Sequence, residues 1–185
     1  MLSKIETVKI NFPKNCLRQL LNKLIHNNIW GFAKDNKVQN KEIFTDLLIE
    51  NKMLDKGFFY NTFSRSHNIN DTKTDLNIYA NMIFEMIKEK CTLHKLFQIE
   101  RVYWNYYHPN SQTDFHTDTL NPNNISIVYN LHSNSGGTLF IDNNGQEKKI
   151  KAEENEAIVF PSNIKHRGLG PTQEVCRFSL NMIVV

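Results

Sequence analysis

Residues 125–142 of the chain read ISIVYNLHSNSGGTLFID. Two runs rich in β-branched and aromatic residues, Ile125–Leu131 and Gly137–Asp142, flank a polar segment. Runs of this kind between turn-forming residues are typical of short β-strands. The pattern continues on both sides of this stretch, and the further strand-like runs are Gln98–Tyr107, Glu147–Ile150, Ala157–Phe160 and Val175–Val184. Regular short strands separated by Asn, Gly and Pro predict a sandwich or a double-sheet jelly roll.

The first half of the chain favours helices over strands. A short strand is expected within residues 4–12. Apolar residues then recur at helical spacing over residues 13–28 and again over residues 75–93. Asp71 or Asp75 could cap the second helix.

These elements predict a single domain over residues 1–185 that is mainly β with some α. Residues 97–185 are expected to form a double-stranded β-helix, or jelly roll, with the catalytic residues. Residues 1–96 are expected to form a helical and loop part that supports it. Within this part, residues 33–74 are interpreted as loops with short elements.

Composition limits the class of protein. The chain has 185 residues, of which 40% are hydrophobic and 22% charged, and its net charge is +3. These values are typical of globular proteins. No apolar run approaches the ~20 residues needed to span a bilayer, and the N-terminus lacks the basic-then-apolar order of a secretory signal. We expect a soluble, cytoplasmic protein with no membrane partner. The charge neither requires nor excludes a nucleic-acid partner, and the sequence leaves the oligomeric state open.

Several classes of site lack their motifs. Cys16, Cys91 and Cys176 are widely spaced and form no C-x-x-C pair, which excludes a zinc site built on thiolates. The sequence contains no G-x-S-x-G motif, so a serine hydrolase has no support.

One candidate metal site begins at Phe115-His116-Thr117-Asp118. On an extended strand residues i and i+2 point to the same face, so the side chains of His116 and Asp118 are expected to converge. His166 follows the strand-like run Ala157–Phe160 and is the candidate third ligand. Two histidines and one carboxylate form the facial triad of non-haem Fe(II) sites, which leaves three octahedral positions open.

A candidate anion site lies in the run Val175–Val184. If this run is a strand, Arg177, Ser179 and Asn181 share one face. An arginine that faces a β-core is costly unless it is paired. A dicarboxylate ligand would supply the partner through a charge-assisted contact, and Ser179 could add a hydroxyl donor.

Taken together, these motifs resemble the Fe(II)/2-oxoglutarate-dependent oxygenases, and within them the prolyl 4-hydroxylase-like branch. The resemblance covers about residues 99–184. Besides the H-x-D motif, the later histidine and the arginine beyond it, it rests on Tyr107-His108-Pro109, on Ile127–Leu131 followed by Gly136–Phe140, and on Ala157–Ser162.

The resemblance implies a set of cofactors. Fe(II) would be held by His116, Asp118 and His166, and 2-oxoglutarate would be bound as co-substrate through Arg177. O2 would be the oxidant, and ascorbate is a further candidate cofactor.

Four other residues are candidates for binding 2-oxoglutarate: Tyr107, Asn130, Ser179 and Asn181. In prolyl hydroxylases a tyrosine commonly binds the far carboxylate at the place that Asn130 occupies here. The Asn130 amide can still donate a hydrogen bond. Tyr129, one residue earlier, is expected to face the other way.

The resemblance also implies a reaction, in which an unactivated C–H bond is hydroxylated with release of succinate and CO2. It favours a peptidyl, prolyl residue as substrate. Hydroxylation of a nucleobase or a small molecule, and a non-catalytic metal- or ligand-binding jelly roll, are the alternatives. We expect a peptide to bind over the open metal position, bordered by residues 56–66 and 109–113. The cluster Phe58-Phe59-Tyr60 fits either a lid over the site or core packing.

Overall fold

A computed structural model of the chain describes residues 2–26, 31–32, 58–70, 74–92, 94–96 and 98–185. The helical elements are a short 3-10 helix at Leu2–Lys4, α1 (Lys14–His26) and α2 (Leu76–Lys90). The strands are β1 (Glu6–Lys9), β2 (Gly31–Phe32), β3 (Phe58–Ser64), β4 (Ile69–Asn70), β5 (Ile99–Tyr107), β6 (Ile125–Asn130), β7 (Asn134–Ile141), β8 (Glu147–Ala152), β9 (Glu156–Pro161), β10 (His166–Leu169) and β11 (Arg177–Val184).

The strands form two antiparallel sheets. In the described part of the chain the larger sheet has the order β1-β9-β6-β11-β5-β3-β2, with β4 paired to β3, and the smaller sheet has the order β10-β7-β8. Non-sequential neighbours such as β9, β6 and β11 are the mark of a jelly roll. The predicted fold class, a mainly β double-stranded β-helix with supporting helices, is confirmed.

The larger sheet has one apolar face, which carries the helices. Leu180 at the centre of β11 and Trp104 on β5 are both fully buried on this face. Because the helices place Leu20, Leu24 and Ile83 against it, strands and helices share one continuous hydrophobic core. The apolar spacing predicted for both helices therefore arises from packing against the sheet.

The other face of the larger sheet turns toward the smaller sheet. Val128, Ile158 and Phe160 on the larger sheet pack with Phe140 on β7 in a second, smaller apolar cluster. Beyond this cluster the inner face is polar, which leaves room for a site between the sheets.

Most predicted elements occur close to their predicted bounds, but the cap of α2 differs. Asp75 occupies the N-cap position without a side-chain capping bond, because its carboxylate instead accepts a hydrogen bond from Lys23 of α1 at 2.8 Å. Asp71 lies outside the described residues.

The interpretation of residues 33–74 as loops with short elements is wrong for residues 58–64. These residues form β3, a seven-residue strand that pairs with β5 along most of its length. The cluster Phe58-Phe59-Tyr60 is therefore part of the sheet and not a lid loop. Residues 33–57 lie outside the described part of the chain. The short strand β10 was not predicted either.

None of the helices within the described residues is long and apolar enough to cross a membrane.

The apolar face of the larger sheet is expected to determine stability. We expect Leu180→Ala to lower the free energy of unfolding by about 2–5 kcal/mol, because it opens a cavity beneath the helices. Val175→Ala is the matched control, since the Val175 side chain is 82% exposed, and it should change stability by less than about 0.5 kcal/mol. Urea denaturation measures both, and equal effects would contradict this assignment of the core.

Candidate metal centre

Backbone pairing brings the two halves of the site together. His116 and His166 form an isolated antiparallel bridge in which each N–H donates to the other's carbonyl at 2.9 Å. Two residues on, the Asp118 N–H donates to the Ser162 carbonyl at 3.0 Å. The segment at 116–118 is an irregular extended chain and not the regular strand expected, yet this pairing still makes its side chains converge.

The three side chains place their polar atoms around one point. His116 Nε2 lies 3.8 Å from Asp118 Oδ1, and His166 Nε2 lies 3.6 Å from Asp118 Oδ2. One donor atom from each residue lies within 4.8 Å of the others. Two imidazoles and a carboxylate at this spacing could hold a metal ion and leave open positions for other ligands.

Backbone carbonyls orient both imidazoles toward that point. His116 Nδ1 lies 2.8 Å from the Asp114 carbonyl, and His166 Nδ1 lies 2.9 Å from the Ile164 carbonyl. A carbonyl only accepts, so Nδ1 carries the proton in each ring and Nε2 presents its lone pair. A hydrogen bond of this kind behind the ring is typical of metal-binding histidines.

The Asp118 carboxylate is buried and held by several donors. Tyr103 donates to Oδ1 at 3.2 Å, Ser126 donates to Oδ2, and Arg101 Nη2 lies 4.0 Å from Oδ1. Burial alone would raise the pKa of Asp118, but His166, the Ser126 hydrogen bond, His116 and Arg101 together hold it below its usual value. The carboxylate is therefore ionised and available as an anionic ligand.

Burial also lowers the pKa of His166, more than the neighbouring Asp118 raises it. A neutral imidazole is the form that binds a metal.

The triad opens into a cavity of about 660 Å³ between the two sheets. The cavity is lined on one side by β5 and β11, through Tyr103, Tyr107, Arg177 and Asn181, and on another by Phe59 and Asn61 of β3. A cavity of this size takes a small ligand and part of a larger one.

Arg177 lies at one end of this cavity and is 1% exposed. Its guanidinium donates to the carbonyls of Gly137 at 2.6 Å and Leu169 at 3.1 Å, and to Asn130 Oδ1 at 3.1 Å. All three acceptors are neutral, Nε has no hydrogen-bond partner, and no carboxylate within the described part of the chain pairs with the group. A buried cation with only neutral acceptors is the setting in which a ligand anion binds strongly.

Glu174 is the acidic residue nearest to Arg177 in sequence, and it is bound elsewhere. Its carboxylate accepts hydrogen bonds from the backbone and the hydroxyl of Ser135. Glu174 therefore links the loop before β11 to the start of β7 and does not neutralise the charge of Arg177.

Tyr107 stands beside Arg177 in register across β5 and β11. The Arg177 guanidinium lies 4.9 Å from the centre of the Tyr107 ring, a cation–π contact. The Tyr107 hydroxyl occupies the space next to Gly168 that a Cβ would fill. Position 168 must therefore be glycine for the tyrosine to reach the cavity.

The other predicted cofactor residues are placed differently from one another. Asn181 lines the cavity, whereas Asn130 and Ser179 are not among its lining residues. Asn130 directs its carbonyl oxygen to Arg177 and its amide to the Glu156 carbonyl, and the Ser179 hydroxyl donates to Asn181. Tyr129 faces the helical core, as predicted from its parity.

Sequence reasoning missed three residues that contact Asp118: Arg101, Tyr103 and Ser126. The signal for two of them was available. Arg101 and Tyr103 share with Tyr107 the alternate positions of β5, so all three face the cavity once one of them does. Ser126 could not be found, because its strand has buried residues on both faces.

The remaining histidines of this region have other contacts. His132 accepts the Phe178 N–H at 3.2 Å, and the His108 ring packs edge-on against Tyr106 at 4.8 Å. Neither lies in the cluster formed by His116, Asp118 and His166.

Comparison with known proteins supports the fold. A sequence model of the 2OG-Fe(II) oxygenase superfamily matches residues 102–184. No curated protein sequence matches the chain.

Three solved structures illustrate the structural likeness. A prolyl-4-hydroxylase from Pseudomonas putida superposes with a TM-score of 0.65 at 13% identity, over 98% of this chain and 92% of that one. A 2OG-Fe(II) oxygenase family oxidoreductase from Burkholderia pseudomallei gives 0.67 at 12% identity, over 98% and 84%. A prolyl hydroxylase from Trichoplax adhaerens, in complex with a hypoxia inducible factor peptide fragment, gives 0.64 at 11% identity, over 98% and 83%. At these identities the likeness shows a shared fold.

The convergence of the three side chains predicts where a metal binds. We expect Asp118→Ala to abolish stoichiometric Fe(II) binding, because it removes the anionic donor between two imidazoles. His26→Ala, which alters an exposed histidine on α1, should leave binding intact. Anaerobic Fe(II) titration measures both, and circular dichroism checks that the fold is retained. Full metal binding by Asp118→Ala would show that the metal is held elsewhere.

Proposed function

Residues 102–184 belong to the 2OG-Fe(II) oxygenase superfamily, and from that membership we propose that the chain is an Fe(II)- and 2-oxoglutarate-dependent dioxygenase that hydroxylates a peptidyl, prolyl residue. One observation carries the proposal. A buried arginine with no acidic partner among the described residues lines the same cavity as a cluster of two histidines and one aspartate.

The residues of the cavity fit both groups. His116, Asp118 and His166 supply the oxygen and nitrogen donors suited to Fe(II) and no thiolate. Within the described residues Arg177 has three neutral acceptors and an unpartnered Nε. A dicarboxylate bound there would supply the negative charge that the guanidinium lacks. Because Gly168 has no Cβ, it leaves room for the neighbouring Tyr107 side chain in the cavity.

Bound together, Fe(II) and 2-oxoglutarate supply the redox chemistry, in which O2 is consumed, 2-oxoglutarate yields succinate and CO2, and a C–H bond becomes C–OH. The chain contributes binding and orientation. The carbonyls behind His116 and His166 fix the direction of their Nε2 lone pairs, and Tyr103 and Ser126 hold the carboxylate of Asp118 in place.

Arg177 anchors the co-substrate and fixes its reach into the cavity. Asn130 and the Gly137 carbonyl hold the guanidinium in one orientation, so it is preorganised before the co-substrate arrives. Val128 lines the cavity, and the Phe140 and Phe160 rings pack against His166. These apolar groups limit water around the metal centre, which favours productive chemistry over side reactions.

Three considerations support a peptide substrate. The sequence resembles the prolyl 4-hydroxylase-like branch, two structural neighbours are prolyl hydroxylases, and one of these binds a peptide. Phe59 and Asn61 on β3 and Thr113 in the loop before the metal centre also line the cavity. They lie within the two segments expected to border the substrate, while residues 56 and 57 fall outside the described part of the chain.

The substrate class is tested by the release of succinate. We expect Fe(II)-loaded enzyme to release succinate from 2-oxoglutarate faster when proline-containing peptides are added than with single-stranded DNA, RNA or free proline. Mass spectrometry should then find a gain of one oxygen on the peptide. If only nucleic acid or a free amino acid stimulated succinate release, the assignment of a peptidyl substrate would be overturned and the assignment as an oxygenase would stand.

Asp118→Ala is the matched control for this assay. It should release no succinate with any member of the panel, since the proposed metal centre would be lost. Release of succinate by this variant at the wild-type rate would contradict the oxygenase assignment itself.

The role of Arg177 gives a second prediction. We expect Arg177→Ala to weaken 2-oxoglutarate binding by roughly 2–4 kcal/mol, the scale for losing a charged hydrogen-bond partner. Arg177→Met, which keeps most of the side-chain volume, should have the same effect, and Arg177→Lys should not restore wild-type affinity because it lacks the planar fork. Calorimetric titration of 2-oxoglutarate into anaerobic, Fe(II)-loaded protein measures all three.

Iron affinity should be nearly unchanged in these variants, because the guanidinium contacts none of the three proposed ligands. Wild-type affinity for 2-oxoglutarate in Arg177→Met would refute the assignment of the co-substrate site.

A further inference from the structure

We propose that the substrate carries a carboxylate, and that Arg101 with His67 binds this carboxylate at the end of the cavity away from Arg177. This inference rests on the proposed oxygenase function and specifies its substrate. It concerns a second cationic position in the cavity, separate from the one assigned to 2-oxoglutarate.

Arg101 and Arg177 lie at different ends of the cavity wall. Arg177 is in register with Tyr107, and Arg101 lies six residues before Tyr107 on β5. At about 3.3 Å per residue this separates the two positions by about 20 Å along the strand. If 2-oxoglutarate binds between Arg177 and the metal centre, Arg101 therefore remains available to bind another ligand.

The Arg101 guanidinium is only weakly engaged within the described part of the chain. Its Nη2 lies 4.0 Å from Asp118 Oδ1, at the limit of an ion pair, and its Nε is buried without a hydrogen-bond partner. The Tyr103 ring, 5.0 Å away, supports the flat side of the group. About a third of the side chain remains exposed toward the cavity.

Metal binding would weaken the one ionic contact that Arg101 makes within the described residues. If the Asp118 carboxylate coordinates a divalent cation, its negative charge would balance the guanidinium less. The positive charge of the metal would add to that of Arg101 and make the electrostatic potential at this end of the cavity more positive. An anionic substrate would bind most favourably after the metal, which is the order that a productive reaction requires.

His67 supplies a second donor on the same wall. The hairpin between β3 and β4 places its ring in the cavity lining together with Arg101. Its Nδ1 lies 3.0 Å from the Ser64 hydroxyl and 3.1 Å from that of Ser66. Because hydroxyls can donate to Nδ1, the ring can carry its proton on Nε2 and donate it to a ligand.

The chemistry of the wall suits a carboxylate more than a phosphate. A planar guanidinium and one further N–H donor match two carboxylate oxygens, and the single fixed positive charge matches a single negative one. The carboxylate could belong to an acidic side chain of a peptide or to a chain terminus, and the experiment separates these sources.

The test uses protein loaded with Zn(II) in place of Fe(II), to prevent turnover, and saturated with 2-oxoglutarate. Four probes are titrated: blocked peptides that contain Glu-Pro or Gln-Pro, N-acetylproline, and N-acetylprolinamide. We expect Glu-Pro to bind about tenfold more tightly than Gln-Pro, or N-acetylproline about tenfold more tightly than its amide, as for one charged contact. The preference should vanish in Arg101→Gln and persist in Arg18→Gln, which alters an exposed arginine on α1.

A second measurement reports on Arg101 directly. In protein with isotope-labelled arginine, the Nε–H resonance of Arg101, assigned from its absence in Arg101→Lys, should shift with the carboxylate probe and not with its neutral match. Zn(II) content, measured for every variant, checks that Arg101→Gln still binds metal.

The outcomes distinguish the possible sources of the carboxylate and test the inference itself. A preference for Glu-Pro identifies a side-chain carboxylate of a peptide, and a preference for N-acetylproline alone identifies a terminal one. If the Arg101 resonance shifts with N-acetylproline but no peptide binds, the carboxylate site would be supported and the proposal of a peptidyl substrate would be overturned. No preference and no shift would overturn the inference and leave Arg101 as a partner of Asp118 only, with the oxygenase assignment intact. Persistence of the preference in Arg101→Gln would likewise overturn it.

Discussion

The reciprocal backbone hydrogen bonds between His116 and His166 are the contact on which the site depends. They join two segments far apart in sequence, at 2.9 Å in each direction. With this bridge formed, the Asp118 N–H reaches the Ser162 carbonyl and both imidazoles turn toward the carboxylate. Backbone groups must be paired wherever water is excluded, so the fold satisfies its own hydrogen bonds by the same contacts that assemble the metal centre.

The larger sheet separates stability from chemistry by the alternation of its strands. On β11, Phe178, Leu180 and Met182 face the helices, while Arg177, Ser179 and Asn181 lie on the opposite face of the strand, where Arg177 and Asn181 line the cavity. Burial of the first set supplies hydrophobic free energy that offsets the cost of desolvating the second. The polar inner face would be a poor core on its own, which explains why a chain with this site also needs a helical layer against the outside of the sheet.

Sequence alone predicted those features that depend on local periodicity. The parity of Arg177, Ser179 and Asn181 followed from period two, and the two helices followed from the spacing of leucine and isoleucine. Three features depend on tertiary contacts and could not be predicted. Strand β3 forms by pairing with β5, and strand β10 forms by pairing with β7. The contact between Ser126 and Asp118 depends on the register of β6 against β11. The backbone bends at Asp118 and is not a regular strand. The side chains of His116 and Asp118 still converge, because the backbone around them is extended.

The charges inside the cavity explain how a chain with a net charge of only +3 can favour anions at one place. Two arginines, Arg101 and Arg177, and two aspartates, Asp114 and Asp118, line the same cavity, and Asp118 is the carboxylate that a metal would take. The balance at the site is therefore set by a few buried groups in a low-dielectric setting, where each interaction is stronger than at the surface. Arg177 is rigidly held by Gly137, Leu169 and Asn130, whereas Arg101 lies 4.0 Å from Asp118 Oδ1 and keeps part of its side chain exposed. A rigid cation suits a ligand that is the same in every turnover, and a looser one suits the partner that must arrive and leave as substrate and product.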